Sequence, residues 1–468
     1  MPKKGSVLEK LTVTDAGAKG KNIARAGSFV VLVEGTVPGD VVDVEILRKK
    51  KGFAEGRAIN FHEYSPDRLI PVCPHFYNCG GCSWQNMTYA QQLFFKQKMV
   101  ADTLQRIAKI PLPEISHILG SPRTEYYRNR LDFAFSNKKW LTREEMQNGI
   151  GFDEPGIGFH VSGRFDKVLD VSRCYLQPQP SNQIRQWAYM YATKNAYPFF
   201  DIRDQHGSLR SLIVRTTAVT GELMVVMIFY KETQERIDEF MQAMQQRFPQ
   251  ITSLYYVENP KANDSVYDLD HHLFSGKPYL TEEINGIKFQ VGPKSFFQTN
   301  PFQAPTLFAE TIKLADLKPT DVVYDLYTGV GSIALQVSKY AKQVIGIEAV
   351  EEAIDFAKLN ASENNITNAA FFAGDVKDIL TDDFFAVHGK PDVLITDPPR
   401  AGMEPQVINK ILELAPPKIV YVSCNPSTQA RDLELMKDHY DVVAVQPVDM
   451  FPHTYHVENI VLMIRKIN

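Results

Sequence analysis

The run Asp321-Val322-Val323-Tyr324-Asp325-Leu326-Tyr327-Thr328-Gly329-Val330-Gly331-Ser332 decides the fold of this chain. It opens as an apolar strand and ends in a turn whose glycines at 329 and 331 let the backbone bend tightly and approach a ligand, with Ser332 placed to cap a following helix. Downstream, strand candidates at 321–326, 343–348, 392–396, 418–423 and 441–446 alternate with helix candidates at 332–340, 351–364, 404–414 and 427–437, and a last strand falls near 457–464. That alternation predicts an α/β fold with a doubly wound, mainly parallel sheet over residues 286–468. The second strand ends in Gly346-Ile347-Glu348, 19 residues beyond Gly329, where an acidic side chain accepts hydrogen bonds from ribose hydroxyls. Asp375 follows the third strand, where a carboxylate can reach an adenine amine. A nicotinamide dinucleotide would favour glycine at 334 but tolerates the Ala334 found there, so the loop alone leaves the cofactor open.

Two later strand ends narrow the choice. One reads Ile395-Thr396-Asp397-Pro398-Pro399-Arg400-Ala401-Gly402, the other Tyr421-Val422-Ser423-Cys424-Asn425-Pro426. Ligands of such sheets sit outside the carboxyl ends of strands, so Asp397 and Cys424 are expected to face one crevice. Cys424 also precedes a helix N-terminus, which lowers a thiol pKa; the alternative is a small buried residue.

Towards the N-terminus, residues 1–64 hold short apolar runs such as Phe29–Val33 and Val41–Ile46, separated by turns, and predict a small OB-like β-barrel. Arg48-Lys49-Lys50-Lys51 is expected as an exposed basic loop between two strands, suited to nucleic acid. Residues 65–285 form the expected central domain. Its first part, 65–95, is irregular and rich in Pro, Cys and Gly; a helix follows near 89–107. An α+β portion then contains strands at 211–215 and 223–228 and a helix near 232–247. Net charge is −4, yet residues 1–110 carry 16 Lys+Arg against 10 Asp+Glu, leaving 35 against 45 for the rest. A basic front on an acidic body suits RNA docking joined to catalysis. No apolar stretch spans a membrane, and Met1-Pro2-Lys3-Lys4-Gly5 is not a signal peptide, so a cytoplasmic location is expected.

The cysteines are Cys73, Cys79, Cys82, Cys174 and Cys424. In a cytosolic chain, Cys73, Cys79 and Cys82, completed by Cys174, offer thiolates for a [4Fe–4S] cluster or for zinc. Gly80-Gly81 permits close backbone approach, and the uneven spacing is not the paired pattern of zinc ribbons.

Asp-Leu-Tyr-Thr-Gly-Val-Gly, Asp-Pro-Pro-Arg-Ala-Gly, Val-Ser-Cys-Asn-Pro and Phe451-Pro452-His453-Thr454-Tyr455-His456-Val457-Glu458 occur in this order. Together they resemble the RNA uracil-5-methyltransferase family. Residues 1–64 resemble its TRAM domain, and the cysteine spacing resembles its iron–sulfur branch, which modifies 23S ribosomal RNA. The resemblance implies a class I (Rossmann-like) S-adenosylmethionine-dependent methyltransferase. Cys424 would add to uracil carbon 6, making carbon 5 nucleophilic, and Glu458 would then remove the carbon 5 proton. It also implies a cofactor site of Gln298, Tyr327, Ser332, Glu348, Asp375 and Asp397, and a four-iron cluster on Cys73, Cys79, Cys82 and Cys174. Thr328 stands where relatives commonly have cysteine, and Ser332 and Asp375 where some have asparagine. The expected partner is 23S ribosomal RNA, with the chain a monomer; the same chemistry on transfer RNA is the alternative. Phe296 could stack on an extruded base or pack in the core, and His456 could orient the site or pack. Methylation of an exocyclic amine would favour Asn-Pro-Pro-aromatic and leaves Cys424 without a task. A non-catalytic iron–sulfur or RNA-binding protein would be indifferent to loss of Cys424.

Overall fold

In the N-terminal region, side chains alternate between a shared interior and solvent, and this closes a barrel. A computed structural model describes residues 3–17, 20–149, 151 and 154–467; of the leading segment Met1–Gly5, Met1 and Pro2 lie outside the described residues. Strands β1 (Val7–Asp15), β2 (Lys21–Ala26), β3 (Phe29–Glu34), β4 (Val41–Lys49) and β5 (Phe53–Glu63) pair in the order β1-β2-β3-β5-β4. Val13, Ala24, Val31, Val33, Val42, Val44 and Ile46 fill the interior, every second residue along each strand. The basic run differs from its expected loop. Arg48 and Lys49 extend β4 because their pairing with Glu55 and Ala54 continues the ladder, and Lys50 and Lys51 make the turn.

The middle of the chain is built on a sheet of order β12-β11-β10-β9-β6-β7-β8. Its strands are β6 (Arg130–Ser136), β7 (Gly156–His160), β8 (Val168–Asp170), β9 (Leu209–Thr216), β10 (Leu223–Phe229), β11 (Ser253–Glu258) and β12 (His272–Gly276). Before it comes α1 (Tyr89–Thr103), which widens into a π-helical turn at Leu104–Ala108; α2 (Arg143–Gln147) lies between β6 and β7. Helices α3 (Ser181–Lys194) and α4 (Gln234–Arg247) cover one face, burying Ile184, Ala188, Ile237, Phe240 and Met244. Thr233 caps α4 by accepting the Arg236 N–H. A hairpin of β13 (Leu280–Ile284) and β14 (Ile287–Val291) leads onward.

The C-terminal sheet has the order β17-β16-β15-β18-β19-β21-β20. Its members are β15 (Val322–Leu326), β16 (Gln343–Glu348), β17 (Ala369–Ala373), β18 (Val393–Thr396), β19 (Lys418–Ser423), β20 (Tyr440–Val448) and β21 (Glu458–Arg465). The first five are parallel, β21 enters antiparallel between β19 and β20, and the order reverses between β15 and β18. One face is packed by α5 (Ala304–Ala315), which sequence reading missed, with α6 (Ser332–Val337) and α7 (Glu351–Glu363). Short helices α8 (Val376–Ile379) and α9 (Asp382–His388) follow β17, and α10 (Pro405–Leu414) and α11 (Pro426–Met436) cover the other face.

Two local differences from expectation have physical reasons. Ser332 does not cap α6. Gly331, at φ 82°, occupies the capping position instead, and the helix stops at Val337, where the Ser338 hydroxyl takes up the Leu335 carbonyl. Also, α1 leaves the central region and packs on the C-terminal sheet: Val100, Leu104 and Ala108 join the same core as α10 and α11. Ile115 and Leu119 pair in parallel with Val445 and Val448 at that sheet's β20 edge. No helix among the described residues is long and apolar enough to cross a membrane.

Candidate active site

The strand order reverses between β15 and β18, and sheets of this kind place their ligand crevice at the carboxyl ends beside such a reversal. Tyr327, Gly329 and Gly331 take left-handed backbone angles, folding the chain back after β15. A Cβ at Gly329 would meet nothing within 4 Å, so open space lies over the turn. Beneath it Asp325 is fully buried, accepting from the Thr328 hydroxyl at 2.6 Å and the Ala334 N–H at 3.0 Å, while its Oδ1 has no partner. Burial raises the Asp325 carboxyl to about 7. Glu348 accepts the N–H groups of Gly329 (3.2 Å) and Val350 (3.0 Å), which fixes its carboxylate at the rim. Asp375 caps α8 and pairs with Lys377 at 2.9 Å; that hydrogen bond holds its carboxyl below the ordinary range. Ser332 is half-buried at the first turn of α6, and Tyr327 is half-buried beside it. Gln298 is buried in a loop pinned by the Asn129 side-chain amide, which donates to the Gln298 carbonyl at 2.9 Å. Phe296, two residues earlier, is 65% exposed and so does not pack in the core. An orphaned buried carboxylate oxygen, open space over a glycine turn and a ring of fixed carboxylates fit a nucleoside-bearing cofactor.

The two residues expected to react stand at the ends of adjoining strands. Ser423, last in β19, is in register with Asn459, second in β21, so Cys424 and Glu458 emerge side by side. Glu458 is buried inside the sheet rather than on an edge strand. Burial raises its carboxyl well above the usual value, and Asp397 raises it further. Asp397 is itself raised by burial and by Asp325. Cys424 is half-buried and its thiol is pushed up to about 12, first by burial, then by Glu458 and Asp397. The expected lowering by the helix N-terminus is therefore outweighed. The Arg400 guanidinium beside the sulfur opposes the rise. Arg400 lies within the Asp-Pro-Pro-Arg motif, whose local pattern does not announce a place beside Cys424. Its loop is held by α11, where the Asn425 amide and Thr428 hydroxyl donate to the Arg400 carbonyl at 3.0 and 3.2 Å. His456 is half-buried and lowered to about 4 by burial, so its ring is neutral at physiological pH.

Cys73, Cys79, Cys82 and Cys174 line one end of a second crevice of about 430 Å³. Cys79 accepts the Gly81 N–H at 3.4 Å and Cys82 the Gln85 amide at 3.3 Å, while the N–H groups of His75 and Leu176 beside Cys73 and Cys174 oppose the rise that burial gives those two thiols. Three of these come from the backbone two residues on, a donor shell that favours bound thiolates. Among the described residues, no three of these sulfurs lie within 4.8 Å of one another. Four thiol side chains beside one crevice are a donor set that suits either zinc or an iron–sulfur cluster. The same crevice is lined by Arg128, Arg130, Arg173, Tyr175, Tyr267 and Phe296, basic and aromatic groups that no local sequence pattern announces.

Residues 212–466 match the family described as tRNA (Uracil-5-)-methyltransferase, and residues 3–59 match the TRAM domain. An uncharacterized RNA methyltransferase of Bacteroides thetaiotaomicron is 53% identical over 95% of this chain and 99% of its own length. One of Porphyromonas gingivalis is 49% identical over 97% of this chain and 99% of its own. Among solved structures, the tRNA (uracil-54, C5)-methyltransferase of Pyrococcus abyssi in complex with S-adenosyl-L-homocysteine is similar with a TM-score of 0.74 and 26% identity. That likeness covers 97% of this chain and 100% of the other.

Proposed function

This chain belongs to the tRNA (uracil-5-)-methyltransferase family, and from that premise we propose that it methylates carbon 5 of a uridine in 23S ribosomal RNA, with S-adenosylmethionine as donor and a transient bond between Cys424 and uracil carbon 6. The observation that carries the reading is the convergence of Cys424, Asp397 and Glu458 at one crevice. Gln298, Tyr327, Ser332, Glu348, Asp375 and Asp397 would hold the cofactor, which supplies an electrophilic methyl on a sulfonium. Cys424 gives up its thiol proton to solvent and adds to carbon 6 as a thiolate; the electron pair passed to carbon 5 forms the new bond to the methyl group as the methyl–sulfonium bond breaks, its pair remaining on the donor's sulfur. Glu458 then takes the carbon 5 proton; the freed pair restores the ring double bond and expels the Cys424 sulfur. A carboxylate raised by burial is a stronger base than an exposed one, which suits this step.

Cys73, Cys79, Cys82 and Cys174 are proposed as ligands of a [4Fe–4S] cluster. Iron and sulfide analysis with an absorption spectrum of protein purified without oxygen would distinguish it from zinc. The barrel and the basic, aromatic crevice favour RNA as partner, in a cytoplasmic setting. The choice of 23S RNA follows from the barrel joined to the cysteine set, while the Pyrococcus abyssi likeness favours the transfer RNA reading. Incubation with labelled S-adenosylmethionine and separated 23S and transfer RNA, followed by mass spectrometry of the nucleosides, should place 5-methyluridine in 23S RNA. Label confined to transfer RNA would replace that substrate. RNA containing 5-fluorouridine should trap a covalent complex with the native protein and none with Cys424→Ala; equal trapping by both would end the Cys424 assignment.

A further inference from the structure

Glu458 is delivered to the crevice by the loop 449–457, and that loop is held almost wholly by residues outside the catalytic sheet. The Lys96 ammonium donates to the Phe451 carbonyl at 2.9 Å and to Asp449 at 2.6 Å, with both ionic side chains fully buried. The Tyr89 hydroxyl donates to the other oxygen of Asp449 at 2.8 Å. The Tyr127 hydroxyl donates to the Pro452 carbonyl at 3.0 Å. Next to the cysteine segment, the N–H groups of Ser83 and Trp84 both donate to the His453 carbonyl, at 2.8 and 3.0 Å. The His453 N–H donates to Gln92 Oε1 at 2.8 Å, and Gln92 spends its own amide protons on the carbonyls of Trp84 and Met87 at 3.0 Å each. His453 sits at φ 66°, a left-handed angle that a residue with a side chain holds only when its surroundings impose it.

Gln92 and Lys96 lie on α1, Ser83 and Trp84 follow Cys82, and Tyr127 precedes β6. We propose that Gln92, Lys96 and Tyr127 are positioning residues for Glu458, clamping its loop so that the carboxylate meets the carbon 5 proton after methyl transfer. The inference rests on the roles given above to Cys424 and Glu458. It explains why α1 packs on the catalytic sheet: the helix aligns the base of the elimination step. Cys424 directly follows β19, and the clamp contacts fall on the loop before Glu458, so adduct formation and methyl transfer are expected to proceed without them. Loosening the clamp therefore stalls the reaction at one point, with methylated uracil still bonded to the sulfur.

The test uses full-length protein, ordinary uridine RNA and S-adenosylmethionine labelled in the methyl group, read on denaturing gels alongside steady-state rates. Gln92→Leu removes the contacts at His453, Trp84 and Met87. Tyr127→Phe removes a single hydroxyl and keeps the ring, so it carries the test if the first variant fails to fold. Each is expected to accumulate a methyl-labelled RNA–protein adduct and to lose turnover, up to about 100-fold for a base displaced by 1 Å, with KM for RNA unchanged. Glu458→Gln should accumulate the same species. If it does while both clamp variants show only native adduct levels, the positioning role is overturned. If Glu458→Gln holds no adduct either, the underlying assignment of Cys424 and Glu458 falls, and the clamp proposal with it.

Discussion

Cys424 illustrates how competing local fields settle a side chain's state. A helix N-terminus contributes about 0.3–1 kcal/mol to an adjacent anion. The rise of the thiol from its ordinary 9.0 to about 12 corresponds to roughly 4 kcal/mol in the other direction. The burial and the two carboxylates that produce it therefore win. A rise of that sign leaves little thiolate in the free protein, and only the thiolate is strongly nucleophilic. The sign of each neighbour can be tested directly. An ionised Glu458 disfavours a second negative charge beside it, so Glu458→Gln should move the pH dependence of iodoacetamide labelling at Cys424 to lower pH. Arg400 favours that charge, so Arg400→Met should move it higher. Labelling profiles that coincide for all three proteins would mean that neither group faces the sulfur.

At the scale of elements, the site depends on how strand ends are tied to the helices behind them. The loop after β18 carries Arg400 and is stitched to α11: the Met403 N–H donates to Asp432 at 2.9 Å, and Arg431 donates to the carbonyls of Ala401 and Met403 at 3.0 and 3.1 Å. The Tyr421 hydroxyl, from β19, completes Asp432 at 2.7 Å. Gly402 makes the turn at φ +78°, and a Cβ there would stand 2.6 Å from the Arg431 guanidinium and 2.7 Å from the Asp432 carboxylate. Gly402→Ala should therefore destabilise the protein by about 1–3 kcal/mol in urea unfolding and slow covalent trapping of 5-fluorouridine RNA by displacing Arg400. Native stability with native trapping would show that the loop adapts freely. Strand ends of this kind were legible in the sequence because apolar runs stop at Gly, Pro and Asp. The cap of α6 was misread because Ser332 and Gly331 both suit a helix start, and only the left-handed backbone angle decides between them.

Over the whole molecule, what could be read beforehand was what repeats along the chain: period-two strands in the barrel, strand–helix alternation in the C-terminal sheet, clustered cysteines. What escaped was contact between distant segments. Lys96 and Asp449 are 353 residues apart, and Gln92 and His453 are 361 apart; no local pattern in α1 announces either pairing. The uneven charge could be read too, and it has a consequence for binding. Arg48 and Lys51 are exposed on the barrel, one ending β4 and one in the turn beyond it. Each phosphate neutralised releases condensed counterions, contributing about 0.7–0.9 to the slope of log affinity against log salt. Arg48→Ala with Lys51→Ala in the full chain should thus reduce that slope by about 1–2 and weaken RNA binding alike for different sequences. The methyl-transfer rate at saturating RNA should be unchanged, since neither residue approaches the crevice of Cys424. An unaltered salt slope would assign the docking of RNA to the arginine-lined crevice and leave the barrel's basic edge as a solvated surface.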